Sequence, residues 1–116
     1  MRSVYDFNCP DFVAYQEAAA RTRSDDAGDL LSMCVLGLVG EAGEVAELIK
    51  KHRFHRQPLV PAAIEKELGD VLWYLANLAD VCGLSLERIA AVNLQKLRER
   101  HPAGFDPSYH NKGKVE

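Results

Sequence analysis

The sequence predicts an all-α fold, four helices joined by short connections into a bundle that assembles as an oligomer. Three observations predict it. Apolar residues recur at helical spacing in four segments, strand-type alternation is absent, and prolines and glycines fall where one helix must stop and the next begin. The first helix covers about residues 10–22: Pro10 suits a first turn, Asp11 complements the helix dipole, and Phe12, Tyr15, Ala18 and Ala19 make the stripe. A polar loop, Ser24 to Asp29, ends in a side chain suited to cap a second helix over about 30–55. Pro58 and Pro61 close that helix, and Pro61 opens a third over about 61–82, stopped by Gly83. Ser85 caps a fourth over about 85–100, which Pro102 and Gly104 end, leaving a polar tail at 105–116.

At 116 residues the chain is one domain's length and is read as a single domain over 1–116. Such a chain buries roughly two thirds of its unfolded surface, enough for a core without disulfide staples. Cys9, Cys34 and Cys82 are odd in number and widely spaced, which fits thiols in a reducing cytosol; Cys34 and Cys82 read as core residues. The N-terminus has no apolar run of signal-peptide type, and the most apolar stretch, Leu30 to Gly40, is about half a membrane span. A soluble, cytoplasmic protein is expected. Seventeen acids against 14 bases, net charge −3, exclude a strongly basic nucleic-acid binder.

The informative acids lie in Gly40-Glu41-Ala42-Gly43-Glu44 and Glu67-Leu68-Gly69-Asp70. Each pair is spaced i, i+3, which brings both carboxylates to one side of a helix. At about 100° per residue, Val45 falls about 40° from Glu41, and Val71 falls about 40° from Glu67. Each first acid therefore sits within an apolar stripe, and Glu44 and Asp70 border it. Acids at i, i+3 usually make a solvated face, and Glu47 and Glu65 belong to that class. An ionised carboxylate facing a core is costly unless paired or bound to a metal. Four converging oxygen donors suit a hard cation, Mg²⁺ best if substrate phosphates complete its octahedron. Neither pair contains the Glu-x-x-His of a di-iron bundle. On the fourth helix Lys96 and Arg100 border the apolar stripe near Asn93 and Leu97, a position suited either to snorkelling at a helix C-terminus or to holding phosphate oxygens.

These residues resemble the MazG-type nucleoside triphosphate pyrophosphohydrolases, whose signature is E-x-x-E followed by E-x-x-D. The likeness extends to Tyr15-Gln16, to Gly83-Leu84-Ser85-Leu86-Glu87, and to Asn93-Leu-Gln-Lys96-Leu-Arg-Glu-Arg100-His101-Pro102-Ala-Gly104-Phe105, where His101 replaces the family's usual Tyr. It covers roughly residues 10–112. The resemblance implies an all-α fold related to dimeric dUTPases and Mg²⁺-dependent hydrolysis of a (deoxy)nucleoside triphosphate to the monophosphate and pyrophosphate, a nucleotide-pool house-cleaning reaction. It implies Glu41, Glu44, Glu67 and Asp70 as metal ligands and catalytic residues, with Mn²⁺ a possible substitute for Mg²⁺. It implies phosphate contact by Lys96 and Arg100, and a homodimer or homotetramer with sites between subunits.

The residue chemistry agrees. Polyphosphate cleavage needs charge neutralisation and an activated water, both of which divalent cations supply. Glu44 is one candidate to orient that water. No Ser, Cys or His sits in a nucleophile motif. Tyr74, beside Glu67 on the inner face, suits either a ligand hydrogen bond or a satisfied core hydroxyl, and Asn93 or Asn77 suits a base edge. Phe12, Tyr15 and Phe54 are stacking candidates. Trp73 plots opposite the apolar face, which suggests either a subunit interface or burial under the N-terminal segment. Lys50, Lys51, His52, Arg53, His55 and Arg56 form a basic helix end that compensates the dipole, with phosphate contact as the alternative. Two other functions fit the same residues less well: a phosphoribosyl-ATP pyrophosphohydrolase, and a non-catalytic helical module whose buried acids pair with Lys or Arg. No nucleic-acid or membrane partner is expected.

Overall fold

The computed structural model describes residues 9, 11–26 and 28–108. Four helices follow one another, α1 (Phe12–Arg21), α2 (Leu30–Phe54), α3 (Pro61–Val81) and α4 (Leu86–Arg100), and no strand occurs among the described residues. The fold is all-α, and each helix matches its expected span to within a residue or two. The tail beyond Ser108, and Pro10 with it, lie outside the described residues. No helix among the described residues is long and apolar enough to cross a membrane.

Local chemistry explains most of the boundaries. Asp11 stands just ahead of the first turn, where its carboxylate complements the positive end of the helix dipole. It is the N-cap itself, its carboxylate accepting from the Ala14 amide at 2.7 Å. Asp29 caps α2 in the same way, accepting from the Ser32 amide at 3.0 Å and the Ser32 hydroxyl at 2.6 Å. Pro61 takes the first position of α3, where its missing N–H has no partner to lose. At the other end Gly83 turns with φ +71°, and the amides of Gly83 and Leu84 reach back to the carbonyls of Asp80 and Ala79 at 2.9 and 2.8 Å. That paired closure requires a left-handed residue, which glycine adopts without strain. Arg56 makes the equivalent bend after α2 with φ 56°, and the amides of His55 and Gln57 both reach the Lys51 carbonyl.

The chain divides into two compact units, 1–86 and 87–116. In the first, α3 packs against both α2 and α1. The core cluster joins Ala19 of α1, Ala76 of α3 and Leu86, with Tyr15, Trp73 and Leu75 packed on it. Because α1 covers one side of α3 and α2 the other, α3 has two apolar faces. Trp73 lies on the α1 face. It is half-buried, and its indole N–H donates to the Thr22 hydroxyl at 2.8 Å, so its burial beneath α1 accounts for its place on the helix. Cys82 departs from expectation as well: it is exposed, because it stands at the C-cap of α3 where the chain leaves the core, whereas Cys34 is fully buried.

Two side-chain clamps hold α1 to α3. Gln16 accepts from the Leu86 amide at 3.0 Å and donates to the carbonyls of Leu84 at 3.0 Å and Ala76 at 3.4 Å. Arg23 donates to Asn77 at 3.1 Å, Asp80 at 2.9 Å and Asp25 at 2.9 Å. Asn77 is buried, and besides that bond its amide donates to the Trp73 carbonyl at 3.0 Å, so it serves the core here.

In the second unit α4 carries acidic Glu87 in its first turn and basic Arg98 and Arg100 in its last, each complementing the helix dipole. A turn at 101–104 follows, with Gly104 at φ +97° and His101 Nδ1 accepting from the Asp106 amide at 2.8 Å.

Candidate metal and phosphoanhydride site

The site is built where α2 and α3 run side by side. Moving back along α2 from Glu41 to Gly37, the neighbours on α3 move forward from Glu67 and Asp70 to Tyr74, so the two helices are antiparallel. One carboxylate oxygen from each of Glu41, Glu67 and Asp70 lies within 4.8 Å of the others. Glu41 and Glu67 are half-buried and Asp70 is exposed, which places the trio at the edge of the helix pair with one side open to solvent. The inward acid and the bordering acid of the α3 pair thus both reach the cluster. On α2 only Glu41 does so; Glu44 is exposed and stands outside the trio, though its charge acts on Glu41.

The electrostatics follow from this crowding. Burial first, and then the Asp70 charge, the hydrogen bond to Glu67 and the charges of Glu67 and Glu44, all push the Glu41 carboxyl above its ordinary range. Every charge named there is negative. The field reaches α1 too: burial, then Cys9 and Asp70, raises the Tyr15 hydroxyl. Tyr15 is therefore a neighbour of the acidic site in addition to packing on the core cluster.

Three carboxylates from two helices, arranged with an open side, form an oxygen-donor set suited to a hard divalent cation that keeps positions free for water and phosphate. Such a cation would relieve the like-charge crowding that raises Glu41. A thiol nucleophile is disfavoured, since burial pushes the Cys34 thiol up and away from the reactive thiolate.

The remaining predicted residues fall as follows. Tyr74 is half-buried on α3, one turn beyond Asp70, its ring lying against the α2 backbone at Gly37 and edge-on to Trp73. Asn93, Lys96 and Arg100 belong to the second unit; Asn93 and Lys96 are exposed along α4 and Arg100 is partly buried. The basic end of α2 is solvated at Lys50, Lys51, Arg53, His55 and Arg56, while half-buried His52 meets the Gln57 carbonyl at 2.8 Å, as a dipole-compensating terminus requires. Sequence reasoning passed over Gly37: a glycine inside a long helix costs about 1 kcal/mol against alanine, but Gly40 and Gly43 of the same helix meet nothing within 4 Å, so residue type alone does not single out the one that Tyr74 approaches.

Residues 28–105 match the family model described as the MazG nucleotide pyrophosphohydrolase domain. The chain belongs to this family. The MazG match takes in all of α2, α3 and α4 and therefore every carboxylate of the site. Among curated relatives, the chain is 38% identical over 100 residues to the Gene 37 protein of Mycobacterium phage L5, covering 78% of this chain and 88% of the relative. It is 39% identical over 74 residues to the dCTP pyrophosphatase 1 of Rattus norvegicus and 37% over 75 residues to that of Homo sapiens, covering 59% and 60% of this chain. The chain spans 44% of the length of each of those two pyrophosphatases. No solved structure matches it significantly. As a MazG domain, the chain is a nucleotide pyrophosphohydrolase, of the hydrolase class that acts on phosphoric anhydrides.

Proposed function

We propose that this MazG domain hydrolyses a (deoxy)nucleoside triphosphate to the monophosphate and pyrophosphate with Mg²⁺, as a house-cleaning reaction in the cytoplasmic nucleotide pool. The convergence of Glu41, Glu67 and Asp70 from two antiparallel helices carries this reading. When bound, Mg²⁺ (or Mn²⁺ in its place) supplies charge neutralisation for the polyphosphate and acidifies water. Glu41, Glu67 and Asp70 hold the cation. Glu44, one turn along α2 from Glu41 and exposed, is placed to take a fourth ligand position or to orient the attacking water. Lys96 and Arg100 hold phosphate oxygens, and Asn93 and the Tyr74 hydroxyl contact the nucleotide. The names of the mammalian relatives make dCTP the first substrate to try.

The test is a panel of common and damaged triphosphates incubated with the protein and Mg²⁺, read by separate pyrophosphate and orthophosphate detection. Pyrophosphate release from at least one triphosphate is expected. Release of orthophosphate alone would contradict the assigned bond, and no hydrolysis across the panel would contradict the function.

We further propose that the working form is a homodimer or homotetramer. Leu36 and Val39 of α2 are 71% and 66% exposed, and Leu31 and Val35 continue the same apolar surface. A contiguous exposed apolar face of this kind is characteristic of subunit contacts. Leu36→Glu is expected to shift the native mass toward the monomer; an unchanged mass would remove α2 from the interface.

A further inference from the structure

Gly37 lies one turn before Glu41 on α2, and Tyr74 lies one turn after Asp70 on α3. A methyl group placed on Gly37 would overlap the Tyr74 ring at three of its carbons, so the ring rests directly on the α2 backbone. The ring also packs on Trp73, with centroids 4.9 Å apart and planes at 86°. Trp73 in turn is held by its hydrogen bond to Thr22, the C-cap of α1. The series α1, Trp73, Tyr74, Gly37 therefore fixes how closely α2 approaches α3, one helical turn from the carboxylates. Helix pairs separate by 8–10 Å according to the side chains at the contact, and a glycine facing a flat ring defines one such contact.

We propose that Gly37 and the ring of Tyr74 act as a spacer that sets the α2–α3 separation at the carboxylate trio, making both of them positioning residues for the divalent cation. This rests on the reading of the trio as a cation site. Any side chain at position 37 must push against a ring that is also in contact with Trp73. The displacement is taken up by the helices, which moves Glu41 away from Glu67 and Asp70. Ligand sets lose affinity steeply when their supporting groups shift, by about 10–100-fold for the groups that orient metal ligands.

The experiment is Mn²⁺ binding to the nucleotide-free protein, followed by electron paramagnetic resonance or calorimetry, with helicity and melting temperature recorded alongside. Gly37→Ala is expected to weaken Mn²⁺ at least about tenfold. The double variant Gly37→Ala/Tyr74→Leu, which removes the overlap, is expected to recover most of that loss. Tyr74→Leu alone leaves the gap unfilled and is expected to weaken Mn²⁺, whereas Tyr74→Phe keeps the ring and binds as wild type. Wild-type affinity in Gly37→Ala overturns the spacer even if its melting temperature falls, since that result describes packing alone. Should Gly37→Ala fail to fold, the two single Tyr74 variants decide: equal affinity in both overturns the proposal. Absence of Mn²⁺ binding by the wild-type chain removes the cation site itself, and the spacer with it.

Discussion

Glu41→Gln is expected to lower turnover by at least about 100-fold and, in the same preparation, to raise the melting temperature of the metal-free protein. The two effects have one origin. Glu41 is pressed by burial and by Asp70, Glu67 and Glu44, so its ionised form is disfavoured in the fold. Glutamine keeps the shape and removes the charge, which relieves the crowding and discards a ligand. The pH dependence has a definite sign. A carboxyl whose folded pKa lies above its ordinary 4.5 contributes stability that is complete below that value and is lost as pH rises through the folded value. The melting temperatures of wild type and variant should therefore converge toward pH 4.5 and separate toward neutrality. Adding Mg²⁺ at neutral pH should reverse their order, because only the wild type gains by mass action from a cation at this position. Calorimetric scans with and without Mg²⁺ at two pH values measure all of this. A variant that melts below the metal-free wild type at neutral pH would mean that Glu41 is a structural acid.

Gln16→Ala is expected to cost about 2–4 kcal/mol, from the loss of three hydrogen bonds worth about 0.5–1.5 kcal/mol each. That corresponds to a fall in melting temperature of about 10–20 °C for a domain this size. Gln16 ties α1 to the carbonyl of Ala76 in α3 and to both sides of the turn at 84–86, so the loss falls on the attachment of α1. Hydrogen exchange should show α1 amides opening before those of α2 and α3. Gln16→Glu retains the acceptor for Leu86 but puts a carboxylate against two carbonyls, and should be destabilised further. Denaturant titration measures the change; a loss below about 0.5 kcal/mol would show that water replaces the glutamine, which single net hydrogen-bond values permit.

The parts of this molecule that are written locally were readable in the sequence. Asp29, Pro61 and Gly83 act on their own backbone within four residues, so the ends of α2 and α3 follow from them. The acid pairs were readable for a related reason, since helical periodicity alone turns Glu41 and Glu67 inward. What required three dimensions was the side of α3 that meets α1. Trp73 plots away from the α2 face and only the structure shows Thr22 waiting for its N–H. Cys82 is apolar in character but stands at a helix end, where periodicity does not decide burial. Gln16 and Arg23 are polar residues whose partners on α3 and in the turn after it lie 54 to 70 positions away, and sequence spacing does not announce those partners. Glu44 is spaced to match Asp70, yet only Asp70 joins the trio, because equal spacing along two helices does not bring their second acids equally near the shared line of contact.

The chain has a single tryptophan, and its placement gives the protein a built-in optical gauge. Trp73 lies three residues past Asp70, touches the ring that rests on α2, and shares its N–H with α1. Its emission therefore reports the approach of α2 and the docking of α1 together, without any attached dye. Excitation at the red edge of the indole band, with cation or nucleotide added stepwise, would follow the closing of the carboxylate trio in real time. The wavelength shift and the loss of iodide quenching would separate movement of the helix pair from release of α1.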